Sequence, residues 1–113
     1  MNDYKIYAVD FDDTLCKNKW PGIGRPNKSL IKFLKLKQSQ GHKIILWTCR
    51  CGDKLTEAVK WCTQQGLIFD AVNDNIQEMT DLFGNNSRKV FASCYIDDKN
   101  IGFFKMLIWK YFR

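Results

Sequence analysis

The stretch Lys5-Ile6-Tyr7-Ala8-Val9-Asp10-Phe11-Asp12-Asp13-Thr14-Leu15 decides the reading of this chain. Lys5 to Phe11 is a short β-branched and aromatic run, as expected of a buried strand. It breaks off into Asp10, Asp12 and Asp13, so the strand delivers carboxylates to its C-terminal end. Asp13, at the start of the following turn, reads as local structure, and Asp tolerates the left-handed region better than most side chains.

Working outward, the strand-then-helix unit repeats. Leu15 to Pro26 reads as an irregular loop. Asn27 is placed to cap a helix whose apolar positions Leu30, Ile31, Phe33 and Leu34 run at helical spacing up to Gly41. Lys43 to Thr48 is a second buried strand. A helix opening near Asp53 follows, with Leu55, Ala58, Val59 and Cys62 on one face and Gly66 behind it. Leu67 to Val72 predicts a third strand, Ile76 to Phe83 a short helix stopped by Gly84, and Val90 to Ile96 a fourth strand ending in Asp97 and Asp98. Ile101 to Arg113 reads as a closing apolar helix, and a homodimer contact is the second role its composition suits. Strands alternating with helices predict a single α/β domain, residues 1–113, with a parallel sheet between helical layers. Ligands of such sheets sit at the carboxyl ends of the strands.

Composition sets the bounds. The 113 residues are 45% hydrophobic and 14% aromatic, enough for a core and unlike a disordered chain. Eighteen Lys and Arg against twelve Asp and Glu give a net charge of +6, which favours anionic partners. No apolar run reaches the roughly 20 residues that span a bilayer, and the first residues lack an export signal. The expectation is therefore a cytoplasmic protein with no membrane partner. Five cysteines, two of them in apolar runs (Cys62 and Cys94), suit reduced thiols. Cys49-Arg50-Cys51 has no second Cys or His pair at zinc spacing, and His42 is the single histidine.

Three predicted strands end in chemistry: Asp10 and Asp12, then Thr48 and Arg50, then Asp97 and Asp98. Four carboxylates converging on one sheet edge repel unless a cation sits among them, and hard oxygen ligands of this kind suit Mg²⁺. Asp10-Phe11-Asp12-Asp13-Thr14 resembles the D-x-D-x-T signature of the haloacid dehalogenase superfamily. Thr48 closing the second strand and Asp97-Asp98 closing the fourth resemble further motifs of that superfamily, in the same order. The resemblance runs from about Ile6 to Asn100.

It implies a Rossmann-like core of sheet order 3-2-1-4 and a Mg²⁺-dependent phosphomonoester hydrolase. Asp10 is the implied nucleophile and Asp12 the acid and base. Mg²⁺ is implied on Asp10, Asp12, Asp97 and Asp98, and Thr48 on the phosphoryl group. The superfamily also uses a Lys or Arg on that group, and three residues compete. Lys89 is nearest by order, but a full strand from Val90 to Ile96 would hold it roughly 20 Å from the carboxyl edge at about 3.3 Å per residue. Arg50 and Lys99 start from the correct edge.

The short segments outside the core motifs resemble a capless member, and such relatives commonly act on large substrates or oligomerise. The implied substrate is an anionic phosphorylated group on a small molecule or a nucleic-acid end. Thr48-Cys49-Arg50 is also similar to the second motif of polynucleotide kinase-phosphatases, which raises a 3′-phosphate end as the alternative substrate. A catalytically weak phosphate- or nucleic-acid-binding module that kept the fold is the other alternative. Within the loop after the nucleophile, Trp20 either stacks on a substrate ring beside Lys17, Lys19 and Arg25 or packs against the core. Lys28, Lys32, Lys35 and Lys37 read first as a solvated helix face.

Overall fold

The computed structural model describes residues 3–100. The predicted closing helix, and the dimer contact assigned to it, fall outside them.

Strands β1 (Ile6–Val9) and β4 (Lys43–Leu46) form the centre of a parallel sheet, with β5 (Ala71–Val72) beside β4 and β6 (Cys94–Ile96) beside β1. The order is β5-β4-β1-β6, so the four parallel strands, counted alone, lie 3-2-1-4. All four residues of β1 are buried, as a strand covered on both faces requires.

The two faces divide the apolar side chains by the two-residue period of a strand. Tyr7 and Val9 join Ile44 and Leu46 under Ile31 and Leu34 of α1 (Lys28–Ser39) and Ala58 and Cys62 of α2 (Gly52–Gln64). Ile6, Ala8 and Ile45 face the other way, onto Ile76, Val90 and Met79 of α3 (Gln77–Phe83). The layers are therefore helix, sheet, helix. Asn27 caps α1 as expected, its side chain accepting from the Leu30 N–H at 3.2 Å, and Gly41 ends the segment at φ +92°.

The register builds the site. Val9 lies opposite Leu46 on one side and Ile96 on the other, and Leu46 lies opposite Val72. Asp10, Trp47, Asn73 and Asp97 thus leave the sheet at one level. The Asp10 N–H donates to the Ile96 carbonyl at 2.9 Å and the Trp47 N–H to the Val9 carbonyl at 2.8 Å, which holds the strand ends together.

Three local expectations change. The segment after Leu15 is an antiparallel hairpin, β2 (Cys16–Lys19) and β3 (Gly22–Pro26), not an irregular loop. A polar edge such as Cys-Lys-Asn-Lys lacks the apolar alternation that would have marked it. The third strand shrinks to two residues, because Leu67 belongs to the end of α2, its N–H donating to the Cys62 carbonyl. The fourth begins at Cys94: the buried Asn75 side chain takes the Phe91 N–H at 2.7 Å, and the Ser93 hydroxyl takes the Ile6 N–H at 3.0 Å.

Candidate metal and phosphate site

The residues after β1 fold into one tight turn around the Phe11 carbonyl, which accepts the N–H groups of Thr14, Leu15 and Cys16 at 2.9–3.3 Å. Phe11 is wholly buried and anchors that turn. Asp13 has φ +60°, the left-handed geometry expected for it, and its carboxylate accepts the Asn18 N–H at 3.0 Å. Asp13 is a structural residue of the hairpin.

The turn returns Thr14 beneath Asp10. The Thr14 hydroxyl donates to Asp10 Oδ2 at 3.5 Å and accepts the Asp98 N–H at 3.2 Å. One buried hydroxyl thereby ties the first strand end to the fourth. Asp10, Asp97 and Asp98 each offer a carboxylate oxygen within 4.8 Å of the others. The Asp10 carboxyl is pushed up to about 6, first by burial and then by the charges of Asp97 and Asp98 and a hydrogen bond to Asp98, against the lowering effect of the Phe11 N–H. Asp98 lies below the ordinary carboxylate range. Desolvation opposes this, and hydrogen bonding with Lys99, Asp97 and Asp10 outweighs it. Lys99 Nζ sits 3.3 Å from Asp98 Oδ2, and that bond raises its pKa.

These carboxylates fit Mg²⁺. The donors are hard oxygens on two neighbouring strand ends, and a cation there would offset both the burial of Asp10 and the charges of Asp97 and Asp98 that raise its pKa. One expected outcome follows. Between pH 3.8 and about 6 the metal-free folded chain keeps a proton on Asp10 that the unfolded chain has released, so stability falls as pH rises through that window. After solvent screening the effect is about 1 kcal/mol. Thermal unfolding should show the metal-free protein losing several degrees relative to Asp10→Asn across that range, and Mg²⁺ at neutral pH should restore them in the parent alone. Parallel profiles for the two proteins would contradict it.

Asp12 points elsewhere. Arg50 holds it through two bonds, Nε to Oδ2 at 2.9 Å and Nη2 to Oδ1 at 2.8 Å. Arg50 is 3% exposed, and Nη2 also donates to the Gly22 carbonyl at 2.7 Å. Its guanidinium carbon lies 4.9 Å from the ring centres of both Phe11 and Trp20. Arg50 therefore pins Asp12 and the hairpin tip together, and its donors are engaged by protein.

The remaining expected residues separate. Thr48 stands two residues past the end of β4, which stops at Leu46 and not at Thr48 as expected, its N–H donating to the Asn73 side chain at 2.8 Å and its hydroxyl accepting the Arg50 N–H at 3.2 Å. Lys89 places its ammonium 5.4 Å from the Tyr95 ring centre, and among the described residues no carboxylate lies within 4 Å of it. Sequence reasoning missed Asn73, whose φ of +52° aims its side chain at Thr48. It also missed the Gly22 carbonyl and did not foresee that Trp20 stacks on Arg50. Asn73 precedes an Asp-Asn pair after a weak strand, a turn signal that could have drawn notice.

Fold and site together define a class: an α/β domain whose parallel sheet gathers a carboxylate cluster at its carboxyl edge. No family model and no curated protein matches the chain. A solved structure of a conserved protein from Bacteroides thetaiotaomicron is 36% identical, with a TM-score of 0.76, the match covering 96% of this chain and 92% of that one. The chain belongs to the same family as that conserved protein.

Proposed function

We propose that this protein is a Mg²⁺-dependent phosphomonoester hydrolase of the haloacid dehalogenase type, with Asp10 as nucleophile. The observation that supports this best is the convergence of Asp10, Asp97 and Asp98 within 4.8 Å at the end of strands lying 3-2-1-4, with Thr48 just past the end of the neighbouring strand. When bound, Mg²⁺ would be held by Asp10, Asp97, Asp98 and the Asp12 backbone carbonyl, and it supplies positive charge to a dianionic phosphate.

The chain's own groups divide the work. An oxygen of Asp10 attacks phosphorus in line, the bond to the leaving oxygen breaks, and an aspartyl-phosphate forms on Asp10. Asp12 gives a proton to the leaving alkoxide and later takes one from the water that hydrolyses the acyl-phosphate. To reach that oxygen, Asp12 exchanges an Arg50 contact for substrate. The Thr48 hydroxyl, which accepts from the Arg50 N–H, still has its own proton to donate to a phosphoryl oxygen.

Lys99 is the best cation for the phosphoryl group, since Arg50 is committed to Asp12 and Lys89 lies over Tyr95. Lys99→Ala should lower kcat/KM for an aryl phosphate about a hundredfold, the worth of one charge-assisted hydrogen bond, with Lys89→Ala nearly unchanged. The reverse order would assign the role to Lys89. The parent reaction is tested by Mg²⁺-dependent release of phosphate from that substrate.

The bidentate Arg50–Asp12 pair favours one second reading, a phosphate-binding module with weak turnover. Binding of inorganic phosphate in Mg²⁺ with no release from any phosphomonoester would select it. All five cysteines are free, which suits a reduced, cytoplasmic setting. Among the described residues no helix is long and apolar enough to cross a membrane.

A further inference from the structure

The folded chain brings two separate basic stretches of the sequence onto one surface. A cleft of about 710 Å³ opens between the nucleophile turn, the hairpin and the start of α1, and Lys17, Arg25 and Lys28 line it. Lys17 and Arg25 also face a second depression with Lys19, and Lys28 faces a third with Lys32 and Lys35. The cleft shares Lys17 and Arg25 with the second hollow and Lys28 with the third, so the six cations lie along adjoining depressions that together make a basic track. Lys28, Lys32 and Lys35 follow the i, i+4, i+7 stripe of a helix and extend the track by roughly 10 Å. That length is enough for the stripe to follow a nucleic-acid backbone past more than one phosphate.

Among the described residues none of the six has a carboxylate within 4 Å. Asp13 is the one acidic group on the cleft wall, and its carboxylate is already bonded to the Asn18 N–H. Unpaired cations at this density repel one another, and a polyanion relieves that repulsion. At the hairpin tip, next to Lys19, Trp20 leaves 58% of its surface in solvent. Thr14, which bonds Asp10, also lines the cleft.

We infer that this track binds single-stranded nucleic acid, its phosphodiester backbone on the six cations and a base on Trp20. A basic groove with an exposed aromatic suits a strand whose bases are free to stack, more than a duplex or an acidic peptide. The binding surface stands apart from the hydrolysis reading. Only the presentation of the strand's terminal phosphate to Asp10 rests on that reading.

Fluorescence anisotropy with labelled oligothymidylate, in the absence of Mg²⁺, tests the surface without calling on catalysis. Affinity should fall with salt at a logarithmic slope of about −3 to −4, at about −0.7 per phosphate neutralised. The combined variant Lys17→Gln, Arg25→Gln, Lys28→Gln should shift that slope by about 2, and Trp20→Ala should weaken binding about tenfold. A charge-matched control, Lys5→Gln, Lys60→Gln, Arg88→Gln, should keep the parent slope. Absence of saturable binding at low salt would overturn the inference. So would equal loss in the control, equal affinity for polyglutamate, or binding to anionic vesicles in place of the oligonucleotide.

Discussion

Asp10→Asn is expected to lower kcat/KM for an aryl phosphate by about 10⁴-fold or more, the usual result of removing a nucleophile that no neighbour replaces. The amide keeps the shape of the carboxylate and the bond from Thr14, so the fold should survive. The same change removes one of three crowded negative charges. Metal-free Asp10→Asn should therefore be more stable than the parent at pH 7 while being inactive. Opposite movement of activity and stability separates loss of a reacting group from general damage, because a misfolded variant loses both. Activity within tenfold of the parent would exclude Asp10 as nucleophile.

The second large effect concerns Arg50. Removing one partner of a buried ion pair leaves the other uncompensated, at a cost of about 3–5 kcal/mol. Arg50→Ala falls toward the lower end of that range, since the Asp12 side chain is 25% exposed and water reaches it. Arg50→Lys should recover little. An ammonium cannot make two parallel bonds to Asp12, a third to Gly22, and stack between Phe11 and Trp20. Denaturant midpoints of both variants provide the measurement, and a double-mutant cycle with Asp12→Asn isolates the pair. Lysine restoring the parent midpoint would show that charge alone, without the fork geometry, holds the hairpin.

What was legible in the sequence was what is local. Asp10, Thr48 and Asp97 each follow directly on an apolar run, so period and position were enough to place them at strand ends. The parallel sheet also followed from alternating units, whereas its order was implied only by the resemblance. Contacts made across large separations were not legible. Arg50 and Asp12 are 38 positions apart, and nothing in Thr-Cys-Arg signals that its guanidinium will lie under a hairpin. Strand limits failed where side chains took over backbone partners, as Asn75 does for Phe91 and Ser93 for Ile6. The hairpin itself was hidden because it lies outside the main sheet and turns only Cys16 and Ile23 toward the core, too few to imprint an apolar alternation on it. The basic track combines both cases: each half was visible, and only folding joins them.

The central place of β1 has a consequence for how the molecule is made. Its first neighbour, β4, is complete by Leu46, but its second, β6, is complete only at Ile96. During synthesis one edge of the most apolar strand therefore waits unpaired while some fifty further residues emerge. An open, apolar edge is the usual template for intermolecular pairing. Asp97 and Asp98 follow directly on that late strand, so a nascent chain short of them has Asp10 but not its neighbours. The complete carboxylate cluster and protection from aggregation arrive in one step, with the closing of the sheet.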